Sequence, residues 1–245
     1  MQLRTFLYKY FYVLPCIPLL VYMILFFIYP LVESVALSFQ GVEWGTFRIL
    51  WVWNLDNYYY IFSQWHILEV YLTTILYAAV ATAILLLISY PIAYTIGIVI
   101  KSDAVRFALI TIVLFPLFLS DIVRVYAQIV FFYGDGLLNY ILMSLGLVAQ
   151  PIEFLHTQGI VLFALVYHAW PFMIFPLELS IVSIDPLIFE AAQNLGARRW
   201  ATFREMLLPL SAPGAAIGAI LSFVLCMGAY EEPTFLAGKV VILVS

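Results

Sequence analysis

The sequence predicts an all-α integral membrane protein, a polytopic helical bundle of about five spans. Three observations carry this. Apolar residues make up 66% of the 245-residue chain, charged residues only 10%, and the mean hydropathy is +1.08. Soluble domains run at roughly half apolar and a quarter charged, so lipid must solvate much of this surface. Uncharged runs of the length a bilayer needs, about 20 residues, recur along the chain. These runs are continuous, whereas barrel strands alternate over about 10 residues. Backbone groups in lipid must then bond within each segment, which makes the spans helices. The whole chain, 1–245, reads as a single transmembrane domain.

The first span is Tyr10 to Val32. Arg4 and Lys9 precede it as they would precede a secretory signal, but the run exceeds an h-region and no small-residue cleavage site follows. The second span is Val70 to Ile100. The third runs from Phe107 to about Phe132, interrupted only by Asp121 and Arg124. The fourth is Phe154 to Leu177 and the fifth Met206 to Tyr230. Pro91, Pro116, Pro171 and Pro176 imply kinks that neighbouring helices accommodate. Pro233 to Ser245 is too short to cross again.

Orientation follows from the loop cations. With the N-terminus in the cytoplasm, the inner segments hold Arg4, Lys9, Lys101, Arg106, Arg198, Arg199 and Arg204, and the outer ones only Arg48 and Lys239. The loop from Gly41 to His66 is then outside. Its Trp44, Trp51, Trp53, Tyr58, Tyr59, Tyr60 and Trp65 suit an interfacial aromatic belt better than a ligand cage. Ten Lys and Arg in all argue against nucleic acid as a partner.

Catalytic chemistry has nothing to stand on. There is no Gly-rich phosphate cradle with its Lys and Ser or Thr, so the chain itself should not hydrolyse nucleotide. His66, His156 and His168 lack metal-ligand spacing, and no Ser or Cys sits in a nucleophile elbow. Cys16 and Cys226 lie in apolar stretches and suggest neither a disulfide framework nor a metal site. No cofactor is expected.

Ser183 to Leu210, SIDPLIFEAAQNLGARRWATFREMLLPL, is the informative segment. Asp185 is a good N-cap and Pro186 suits the first helical position, where its missing N–H is no loss. Leu187 to Leu195 continues a short helix, which Gly196 stops in a left-handed conformation. A second, amphipathic helix runs from about Ala197 to Leu208, and Pro209 punctuates before the next span. By geometry alone this is a helical hairpin on the membrane surface.

Glu190-Ala191-Ala192, three residues, Gly196, then a stretch to Leu208-Pro209 resembles the EAA loop of binding-protein-dependent ABC transporter permeases. Within that superfamily the likeness is to the spermidine/putrescine branch, of the PotB/PotH type. It extends through Pro116 to Phe132, Gly136 to Leu155, Val166 to Leu177 and Gly228 to Gly238. The resemblance implies the type I ABC importer permease fold, with 183–210 as a cytoplasmic coupling loop. It implies ABC ATPase subunits, a second permease subunit and an external solute-binding protein as partners, in a plasma (inner) membrane. Glu190, Ala191, Ala192, Gly196 and Asp185 would then couple transport to the ATPase. Permeases of this branch usually have a sixth span after the last segment, no such span is expected within this sequence, and Asp121 stands where an uncharged polar residue is expected.

Ionisable residues inside spans pair or line a cavity. Asp121 and Arg124 are three apart and can meet on one helix face. That leaves two readings open, a structural pair and a place in the substrate path. His168 reads as a helix-to-helix hydrogen bond or as a path residue, Trp170 as a π-rich path candidate, and Glu231 and Glu232 as loop charges or as a bias towards cations at the mouth. Tyr126 adds a π surface to this set. Glu178 meets the interface or an Arg of the loop. Gly214 to Gly218 is a small-xxx-small packing stripe. The substrate expected is a small solute, a polyamine first, with an anion, iron or phosphonate as alternatives. The rival class is an accessory membrane anchor without transport activity.

Overall fold

The computed structural model describes residues 16–43 and 48–238. Arg4, Lys9, Trp44 and Lys239 lie outside the described residues. The chain divides into two compact units, Met1–Leu68 and Glu69–Ser245.

In the first unit, α1 (Cys16–Ser38) is a candidate span with no buried residue in its apolar window. An antiparallel hairpin follows, β1 (Gln40–Glu43) and β2 (Arg48–Trp53), with Gly41 opposite Leu50, Val42 opposite Ile49 and a bulge between Gln40 and Gly41. The expected outer loop is therefore partly sheet. α2 (Asp56–Ser63) closes on it. Asn57 Nδ2 donates to the Ser38 and Gln40 carbonyls at 3.0 and 2.9 Å, and Ser38 Oγ lies 2.7 Å from the Tyr58 hydroxyl. The Phe39 ring packs on Tyr58 and Trp53, while Trp53, Tyr59 and Trp65 remain largely exposed, as an interfacial belt requires.

The helix α3 (Trp65–Val99) begins at the end of the first unit and runs on through the second, with Pro91 inside it. Its last turn, Thr95–Val99, is a π turn, and the Thr95 hydroxyl donates to the Pro91 carbonyl at 2.7 Å. The third expected span is not one straight helix. α4 (Asp103–Phe118) and the next helical stretch, Asp121–Ser144, are bent by 99°. That stretch comprises α5 (Asp121–Phe132) and α6 (Leu137–Ser144). Pro116 tightens the end of α4 into a 3₁₀ turn, Leu119 is extended, and Asp121 opens a new first turn. An acidic side chain is favourable there, facing the positive end of the helix dipole. Counting the bent pair as one, up to five segments among the described residues are long and apolar enough to cross a membrane.

The core of the second unit is the packing of α7 (Gln158–Val182) on α9 (Trp200–Met227). α7 buries Val161, Leu165, Ala169, Met173, Leu177 and Ile181, one per turn, and carries Pro171 and Pro176 without a break. Facing them, α9 buries the small residues Ser211, Gly214, Gly218, Ser222 and Cys226. Small side chains let two helices approach in lipid, where no hydrophobic force drives them together. The approach is close: Ser222 Oγ donates to the Ala169 carbonyl at 3.4 Å and Cys226 Sγ to that of Leu165 at 3.8 Å. Pro209 does not separate the loop helix from the fifth span. The two form the single helix α9, with a π turn at Phe203–Leu207 just before the proline. Such a turn absorbs an extra residue, and Ser211 Oγ adds a bond to the Leu207 carbonyl at 2.6 Å.

Candidate functional site

The segment between α7 and α9 folds as its residues dictate. Asp185 Oδ1 accepts the Leu187 N–H at 2.9 Å, capping α8 (Pro186–Asn194). Gly196 has φ +81°, and the Ala197 N–H reaches back to the Ala192 carbonyl at 3.0 Å. That is the six-to-one bond of a glycine C-terminal motif. Ile184, Phe189, Ala192 and Leu207 are buried, fastening one side of the segment to the spans. The other side is open: Asp185, Ala191, Leu187 and Leu195 are exposed, the last at 88%, and Trp200 stacks on Phe203 while still 70% exposed. Glu190 lies on α8; its side chain is outside the described ones. The result is a capped helix that leaves apolar side chains such as Leu187 and Leu195 open on one side.

At the far end of the same helices lies a cavity of about 300 Å³, lined by Asp121, His168, Val224, Leu225, Gly228 and the segment Ala229 to Glu232. Four of the seven candidate path residues thus meet, from elements remote in sequence. Asp121 forms an ion pair with Arg124, which is 7% exposed. His168 Nδ1 stands 2.7 Å from Glu232 Oε1, an ion-pair distance whose angle does not satisfy a directed hydrogen bond. Burial alone would push the Glu232 carboxyl up, but His168 and the Arg124 guanidinium together hold it below the usual carboxylate range. Arg124 Nε and Nη1, Gln128 Oε1 and Glu231 Oε2 are shielded from solvent without hydrogen-bond partners. Buried polar atoms are nearly always satisfied, so these are exceptions to the rule.

Two candidates lie elsewhere. Tyr126 faces Phe235, their ring centroids 6.1 Å apart, and is half exposed. Trp170, on α7 itself, packs against the apolar core, its Nε1 buried and without a hydrogen-bond partner. Neither lines the cavity. Tyr230 lines the cavity and Gln128 is buried on α5 beside Arg124, and neither was a candidate from the sequence. The signal for Gln128 was its spacing, four residues after Arg124 on one helix face. Glu178 is buried on α7 within electrostatic reach of Arg106, whose guanidinium donates to the carbonyls of Ile96, Gly97 and Ile100 at 3.1 Å each.

The chain is 31% identical over 223 residues to the spermidine/putrescine transport system permease protein PotB of Haemophilus influenzae, a match covering 91% of this chain and 77% of that protein. The chain belongs to the ABC importer permease family. PotB of Escherichia coli strain K12 is 30% identical over 217 residues, 89% of this permease and 78% of the relative. In fold the permease is similar to a chain in the crystal structure of a bacterial alginate ABC transporter in complex with an alginate pentasaccharide-bound periplasmic protein. The TM-score is 0.74 at 18% identity, over 99% of this chain and 82% of that one. No family model matches the chain. This permease is a multi-pass membrane protein and a transport component.

Proposed function

We propose that this permease carries a small organic cation, a polyamine first, delivered by an external solute-binding protein. The observation that carries the reading is the charge of the cavity: three carboxylates, Asp121, Glu231 and Glu232, gather around one guanidinium and one imidazole. In a partly dehydrated path, where water screens poorly, this excess attracts cations and repels anions. The spermidine/putrescine transport named for both PotB relatives supports the same substrate class. Competition in vesicles containing the complex and its cognate binding protein tests it. Putrescine and spermidine are expected to inhibit uptake and sulfate or molybdate not; the opposite pattern rules the cation out.

The permease acts as one domain and forms half of the path, with a second permease subunit beside it. ATP hydrolysis belongs to two separate ABC ATPase subunits. The 183–210 loop seats on them through Glu190, Ala191 and Ala192, with Asp185 and Gly196 fixing the two ends of α8. The periplasmic protein in the alginate transporter complex supports a binding-protein partner of the general kind. The N-terminus lies in the cytoplasm of an inner membrane, placing Lys101 and Arg198 inside and Gly45 and Gly136 outside. Cysteine-accessibility labelling at these four positions is expected to follow that division. Labelling of position 136 from the cytoplasmic side alone would invert the topology.

A further inference from the structure

The cavity beside His168 holds more negative charge than its internal pairs neutralise. Asp121 is engaged by Arg124, and its side chain is half exposed, so solvent screens what remains. Glu232 is 4% exposed and held by His168. Glu231 lines the same cavity, its Oε2 is buried with no hydrogen-bond partner, and among the described residues it has no counter-ion. Removing a carboxylate oxygen from water without compensation is unfavourable unless a cation approaches.

The surroundings select the kind of cation. Among the described residues no three His, Cys, Asp or Glu side chains are arranged to hold a metal ion, although four such residues ring the cavity. That spacing leaves a bare metal ion without a three-ligand set here. Val224, Leu225 and Ala229 give the wall apolar surface, and Tyr230 contributes an aromatic ring. A charged group on an aliphatic chain matches carboxylate, apolar wall and ring together.

We propose that Glu231 anchors one protonated primary amine of the solute in this cavity, while Asp121 and Glu232 hold the protein's own counter-ions and do not discriminate. The methylene segment beside the amine lies against Val224, Leu225 and Ala229. Glu231 is then a specificity-determining residue, and the adjacent Glu232 a positioning residue that keeps His168 in place. The proposal rests on the cation reading of the permease.

The test uses the full complex, with partner permease, ATPase subunits and binding protein, in vesicles, and labelled putrescine as the probe. At saturating loaded binding protein, Glu231→Gln should lower maximal uptake at least tenfold. The half-saturating concentration, set by the binding protein, should change less than twofold. Glu231→Asp, which keeps the charge, should recover uptake to within about threefold of the parent. Glu231→Cys offers a readout on complexes already assembled. Modification by an anionic thiosulfonate should restore uptake, and modification by a cationic one should not, with the parent protein as control for Cys16 and Cys226. Full uptake by Glu231→Gln, or equal effects of the two reagents, overturns the anchor and leaves the cation reading standing. Parent vesicles that import an oxyanion and no putrescine remove both.

Discussion

Gly196→Val should lower ATP-driven uptake at least tenfold and release the ATPase subunits on purification. At φ +81° the Gly196 backbone is left-handed, which costs an L-residue roughly 1–2 kcal/mol, and a β-branched side chain is among the worst suited to it. The chain relieves that strain by giving up the bond from Ala197 N–H to the Ala192 carbonyl, so the end of α8 unwinds and Leu195 shifts. A docking helix loses affinity steeply with such a change, since each 1.4 kcal/mol is tenfold in a binding constant. Uptake is therefore expected to fall at least tenfold, and ATPase co-purification with it. Gly196→Asn separates conformation from folding, because Asn tolerates the left-handed region. It should retain most activity. Glu190→Lys, which reverses a charge on α8 without touching Gly196, should weaken co-purification in the same direction. Unchanged co-purification and uptake in both Gly196→Val and Glu190→Lys would sink the coupling assignment.

The second large effect is expected at Gly214. A Cβ there would lie 2.4 Å from Ser180 Cβ and 2.5 Å from the Pro176 carbonyl oxygen, closer than real atoms approach. The carbonyl is backbone and cannot swing aside, so Gly214→Leu must push α9 off α7. Overpacking typically costs about 1–3 kcal/mol, and separating two helices along their contact adds to it. The Ser222 and Cys226 bonds across the same seam would lengthen too. Purified in detergent, the Gly214→Leu protein should yield little monodisperse material and unfold well below the parent. Gly218→Leu should behave similarly, its Cβ meeting the Met173 carbonyl at 2.9 Å. Gly134→Ala is the control, with nothing within 4 Å of the added carbon, and should be neutral. Parent-like melting of Gly214→Leu would mean that the two helices do not pack as described.

Both predictions concern features with different visibility in the sequence. The left-handed stop at Gly196 is local: a glycine after an apolar-periodic helix, with Asp185 and Pro186 at its start, needs no distant partner to be read. The stripe Gly214 to Gly218 pointed to close helix packing but not to α7 as the partner; Ser211, Ser222 and Cys226 joined it only in the structure. The charged cavity was legible only as separate suspects. Nothing in spacing distinguishes Tyr126, which faces Phe235, from His168, which faces Glu232.

By itself, the sequence determined the solvent, the number of long apolar segments and the capped helix between α7 and α9. Each of these depends on run length or on neighbours within about one helical turn, where local chemistry dominates. The tertiary structure alone decided the 99° break before Asp121, the absorption of Pro209 into α9, and the meeting of Asp121, His168, Glu231 and Glu232. A buried carboxylate such as Glu232 is held by counter-charges on other elements, as by His168 on α7. Those partners lie tens of residues away, and packing, not periodicity, brings them together.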